Sequence, residues 1–173
     1  MVKKLAKLSM MGVCALGLIA CSPTDPGPAQ ATDAAPEQTV AEGIHPESGL
    51  RVIDVTVTTA KGAIVFKTEV ASTSAQQAKG LMFRTELADN EGMIFPSEVP
   101  APRSFWMKNT PLPLDLIFIG TDGRITNIEQ GEPYSLDSIP SEGFSIAVFE
   151  IRGGLSEKLG IVPGDKVDFI LPE

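Results

Sequence analysis

The chain is poor in reactive side chains. Among 173 residues there are two cysteines, Cys14 and Cys21, one histidine, His45, one tryptophan and one tyrosine. From residue 51 onward there is no Cys and no His at all, so that part can hold no disulfide, no Ser-His-Asp or Cys-His nucleophile and no zinc site of the usual ligands. Positive charge is also scarce. Fourteen Lys and Arg face 22 Asp and Glu, a formal net charge of -8, and Lys3, Lys4 and Lys7 are spent in the first seven residues. Nucleic acid and anionic lipid surfaces would repel such a chain. No phosphate-binding Gly-rich loop and no calcium-loop spacing occurs. The composition therefore implies no cofactor and no metal.

The only long uncharged apolar run covers residues 8–20, directly after the three lysines. Thirteen residues of helix reach about 20 Å, short of a hydrocarbon core of roughly 30 Å. A basic stretch followed by a short apolar one is the layout of a secretory signal. Its end, Leu18-Ile19-Ala20-Cys21, resembles the bacterial lipoprotein signal. That resemblance implies cleavage after residue 20, acylation of Cys21 and attachment on the periplasmic side of the cell envelope. By the same resemblance, Ser22 in place of Asp after the cysteine implies the outer membrane. Residues 21–50 would then be the acylated cysteine and a tether, because repeated proline (Pro23, Pro26, Pro28, Pro36, Pro46) and low hydrophobicity cannot offset chain entropy. His45 falls in this stretch and reads as a solvated linker residue.

Residues 51–173 read as one mainly β domain, antiparallel-rich and β-barrel-like, with two short helices. Residues 52–58 (VIDVTVT) alternate and are β-branched, and residues 63–70 follow across a Lys61-Gly62 turn. Thr73 with Gln76, or Ser74 with Gln77, offers a capping box for a helix ending near Lys79, where Gly80 can stop it. Residues 92–95 and 103–109 read as separate strands. Residues 114–119 (LDLIFI) are apolar enough to be covered on both faces. Residues 124–128 and 145–151 are further strands, 154–159 a short helix, and 166–170 a closing strand after the Pro163-Gly164 turn.

Three segments stand out: Gly80-Leu81-Met82-Phe83-Arg84; Phe105-Trp106-Met107-Lys108-Asn109-Thr110 with Pro113-Leu114-Asp115; and Phe149-Glu150 with Gly153-Gly154. Together they resemble the family of domain of unknown function 192, small bacterial and archaeal domains that are often exported. The resemblance spans roughly residues 53–170. Phe149 stands where the family usually has Leu, and Gly153 where it often has Ala. The resemblance implies a β-barrel-like fold and no assigned activity.

Arg84, Lys108, Asp115 and Glu150 are charges set in apolar runs, which is costly unless they are paired. Two arrangements satisfy that requirement. They could lock the strands as ion pairs, or they could line one cleft with Trp106 as an apolar platform and Asn109 as a donor, a lining suited to a sugar or small anion. The cleft reading makes the chain a lipid-anchored envelope protein that binds a small ligand or glycan. A carbohydrate-active hydrolase is the alternative, with Asp115 and Glu150 as a carboxylate pair across a groove. A structural envelope protein without a ligand is the third. Met82, Met93 and Met107 read as core filler.

Overall fold

A computed structural model of the chain describes residues 43–172. The expected signal segment, Cys21 and the tether as far as residue 42 lie outside the described residues. Seven strands form one sheet: β1 (Val52–Thr59), β2 (Gly62–Val70), β3 (Glu91–Phe105), β4 (Leu114–Gly120), β5 (Ile125–Gly131), β6 (Ile139–Arg152) and β7 (Lys166–Phe169). Helix α1 (Ser74–Lys79) follows β2, and α2 (Leu155–Leu159) follows β6. The spatial order is β5-β4-β6-β3-β2-β1-β7. Every neighbouring pair is antiparallel except β2 with β3. The two edges touch at one corner, through an Arg124–Lys166 bridge and a bond from the Ile125 N–H to the Asp165 carbonyl. The mainly β class with two short helices is as the sequence implies, but the sheet is not a closed barrel, so barrel-like describes its curl only loosely.

Local chemistry sets most of these boundaries. Thr59 and Gly62 pair directly, so the first hairpin turns on Ala60 and Lys61, and the Thr59 hydroxyl closes it by donating to the Gly62 carbonyl. Of the two capping boxes the sequence offers, the Thr73 one forms: the Gln76 N–H donates to Thr73 Oγ1 and the Thr73 N–H to Gln76 Oε1. All seven residues of β4 are buried. Ile117 and Ile119 join Val55, Phe66, Phe149 and Ile151 in one hydrophobic cluster. Leu114, Leu116 and Phe118 join Phe95, Met107 and Val148 in a second one on the opposite face. Successive strand side chains point to opposite faces, so β4 is apolar on both, with Asp115 as the one charged residue.

Three sequence expectations change. Residues 92–95 and 103–109 are not two strands: β3 runs unbroken through residues 91–105, with register shifts at Pro96/Ala101 and Pro102/Ser104. Prolines cannot donate to the ladder, so the strand bends at these points instead of stopping. Residues 106–109, expected to end the second of these strands, leave the sheet and lie in the loop that follows β3. Finally, residues 43–50 pack on the domain. Ile44 bridges Arg51, and the Val52 N–H donates to the Gly43 carbonyl.

Candidate functional site

The sequence-selected charges divide into three separate environments. Arg84 is 7% exposed and belongs to an ion cluster. Its Nη2 lies 2.7 and 2.8 Å from the two carboxylate oxygens of Glu69, which is 3% exposed, and its Nε lies 3.3 Å from Glu47. His45 is no solvated linker residue. Its Nδ1 faces Arg84 Nη2 at 3.3 Å, its Nε2 is 3.7 Å from Glu69, and the Ser48 hydroxyl also donates to Glu69. These groups satisfy each other and pin residues 45–48 to the sheet. Clefts of about 430 and 530 Å³ flank Arg84.

Asp115 is 1% exposed and serves α2. Its Oδ1 accepts from the Gly154 N–H at 2.9 Å and its Oδ2 from the Ser156 N–H at 2.8 Å. The helix has no side-chain cap of its own, because Gly154 occupies the cap position at φ 78°. Asp115 supplies the missing acceptor from β4, and its negative charge suits that end of a helix. Asp115→Ala should destabilise the fold by about 1–3 kcal/mol, since it leaves the buried Ser156 N–H without a partner and frees the exposed Gly154 N–H. Urea denaturation with an unchanged m-value checks this.

Glu150 is on the other side of the sheet. It pairs in register with Leu116 and Met93, whereas Asp115 pairs with Ile151. Strand alternation therefore places the two carboxylates on opposite faces. They share no groove, and the paired-carboxylate arrangement of a glycosidase is not formed. Glu150 lines a cavity of about 220 Å³ together with Leu81, Met82, Phe105, Trp106 and Met107. It is 4% exposed, and its carboxyl makes no hydrogen bond or ion pair among the described residues. Burial pushes its pKa up from 4.5 to about 8, so at neutral pH it is a protonated, donating acid.

The sequence reading missed the second polar feature of this cavity, Arg103. This guanidinium is half-buried, donates to Ser97 Oγ at 2.9 Å and Gln77 Oε1 at 3.2 Å, and lies 5.7 Å from the Phe105 ring centre. None of those partners is a carboxylate, and burial lowers its pKa. The signal for it in the sequence is a cation between Pro102 and Phe105, in a segment that reads as a strand.

The remaining predicted residues shape the rim. Trp106 is 51% exposed and lines the cavity, with Lys108 Nζ 5.1 Å from its ring centre. That cation covers part of the platform a sugar would need. Asn109 acts on backbone: it sits at φ 56°, accepts from the Phe83 N–H at 2.8 Å and points its amide at Met82 sulfur, 3.9 Å away. Phe83 and Tyr134 also take positive φ, and the Tyr134 N–H bonds to the Thr110 carbonyl. Three strained non-glycine residues thus tie residues 82–83, 109–110 and 134 together beside the cavity. Of the six predicted ligand residues, only Trp106 and Glu150 meet there. Among the described residues no group of three His, Cys, Asp or Glu side chains could hold a metal ion.

The family model for domain of unknown function 192, described as Uncharacterized ACR, matches residues 55–169. No curated protein matches the chain. A crystal structure of a protein of unknown function from Novosphingobium aromaticivorans is similar, with 53% identity and a TM-score of 0.72 over 75% of this chain and 94% of that one. A protein from Sinorhizobium meliloti described as a candidate transcription regulator shows 36% identity and a TM-score of 0.67, over 69% of this chain and 95% of its own.

Proposed function

The chain belongs to the domain of unknown function 192 family, and we propose that it works as a small-ligand binding module tethered to the bacterial cell envelope. The observation that carries the binding reading is Glu150, a buried residue whose carboxyl has no partner among the described residues and which lines a cavity of mixed apolar and polar side chains. An unpaired polar group in a closed core would cost stability with no return; at a cavity wall a ligand can satisfy it. The tether reading rests on the basic and apolar residues before Cys21 and on the proline-rich stretch after it. An acidic excess of 22 over 14 disfavours a nucleic-acid partner, so the regulator description of the Sinorhizobium protein is not carried over.

Trp106 is the only tryptophan in the chain and lines the cavity, so its emission reports on the site directly. A library of cell-wall sugars and small organic acids should contain members that change this emission saturably and raise the melting temperature. A library that moves neither would count against the binding reading. For the tether, Cys21→Ser should release the protein from membranes into the soluble fraction, and continued membrane retention would contradict it.

A further inference from the structure

Building on the binding reading, we infer that the ligand is a small amphipathic organic monoanion. Its carboxylate sits on Arg103, its apolar body lies along Leu81, Met82 and Met107, and an inner oxygen accepts a hydrogen bond from the Glu150 carboxyl.

The charge pattern at the cavity carries this. The chain as a whole is acidic, yet three charged residues line the cavity and two of them are cations, Lys79 and Arg103. A third cation, Lys108, lies against the lining ring of Trp106. Glu150 is the only acid, and it sits at the buried end, while Lys79 is exposed and Arg103 half-buried. Glu150 and Arg103 line the same cavity without forming an ion pair. Arg103 has five N–H donors; one on Nη1 and one on Nη2 go to neutral oxygens, no carboxylate pairs with it among the described residues, and three N–H groups remain for a ligand carboxylate.

The inner end calls for an acceptor. No other charged group lines the cavity near Glu150 than Arg103 and Lys79, and its strand neighbours Met93 and Leu116 are apolar. Its carboxyl therefore keeps its proton at neutral pH and offers one O–H donor. A carbonyl or ether oxygen satisfies that donor at little desolvation cost. An ammonium would require a buried ion pair beneath two cations, with a heavy desolvation penalty. A cavity of about 220 Å³ suits a short-chain acid and not an oligosaccharide.

The test is a titration of the full chain at pH 6 with levulinate, its methyl ester, valerate and delta-aminovalerate. Binding is read from Trp106 emission and from the methyl signals of Met82 and Met107. Levulinate should bind. The uncharged ester should bind at least about 10-fold more weakly, because a charge-assisted pair with Arg103 is lost. Valerate, lacking the inner oxygen, should bind roughly 3- to 10-fold more weakly, and the aminated acid weakest of all. Glu150→Gln retains a donor and should keep levulinate affinity within about 3-fold, whereas Glu150→Met should lose about 10-fold. Arg103→Gln should abolish the preference for acid over ester. Tightest binding by the aminated acid, or equal binding of acid and ester, would overturn the inference. If only uncharged sugars such as N-acetylglucosamine move the same signals, the cavity remains a binding site and the monoanion assignment fails. If neither acids nor sugars move them, both readings fail.

Discussion

Arg84→Ala is expected to destabilise the protein by about 3–5 kcal/mol. The guanidinium is the main cation against Glu69, and both side chains are buried. Truncating Arg84 leaves a carboxylate in a desolvated site with only His45 and the Ser48 hydroxyl beside it. The penalty is that of an orphaned charge and not a measure of what the pair contributes. Replacing both partners, Arg84→Met with Glu69→Leu, should therefore recover most of the loss. Urea denaturation of the two single variants and the double variant closes the cycle. If Arg84→Ala alone cost less than about 1 kcal/mol, the cluster would be solvated and loose. The same variant should also release residues 43–50, since Arg84 bonds to His45 and Glu47 there. Faster amide exchange at Leu50 and Gly49 would report that release, because their N–H groups bond within this segment.

The second large effect is on pH dependence. The Glu150 pKa is raised by burial, so between pH 4.5 and about 8 the folded chain holds a proton that the unfolded chain has released. The stability contributed by this group is complete below pH 4.5. It drains away as the pH rises and is gone above about 8. Over that window the loss amounts to roughly 5 kcal/mol, at about 1.4 kcal/mol for each pH unit. Glu150→Gln cannot ionise. It should show no such decline and should be the more stable protein at pH 8, whereas at pH 4.5 the wild type should equal or exceed it. Parallel curves for the two proteins across the whole range would place the carboxyl in water.

Much of this architecture can be read from residues alone. The run 114–119, apolar but for Asp115, the capping signals at Thr73 and Ser74 and the Val55/Val57 alternation each encode their own geometry locally. What the sequence did not reveal depends on register or on distant packing. Asp115 and Glu150 look like a pair until Leu116 is found opposite Glu150, and no local pattern specifies that alignment. The same holds for Arg84, whose partner Glu69 lies in β2, 15 residues earlier. Prolines 96, 100 and 102 disguise one bent strand as two, because a ladder can absorb them at bulges. His45 was hidden by the composition around it: Pro46 and Gly49 look like tether, yet they shape a turn that carries the imidazole to Arg84. Arg103 carries no local signal of its partners either, since the neutral Ser97 and Gln77 are 6 and 26 residues away.

Gly92 shows how tightly the sheet is built around the site. A Cβ there would lie 2.6 Å from the Phe149 ring and 2.7 Å from the Glu150 carbonyl oxygen. The close approach of β3 to β6 at this glycine helps fix the backbone that carries Glu150. The carboxyl is thus held on a rigid central strand, and the residues that could answer it, Arg103 and Trp106, come from the end of β3 and the loop beyond it.

The most direct measurement is the titration of the Glu150 carboxyl carbon by carbon-13 NMR, assigned by its disappearance in Glu150→Gln. A midpoint near pH 8, which rises further when a ligand oxygen accepts a hydrogen bond from the protonated carboxyl, is the predicted result. A midpoint between pH 4 and 5 would mean an ordinary hydrated glutamate, and the account of the cavity built on it would be wrong.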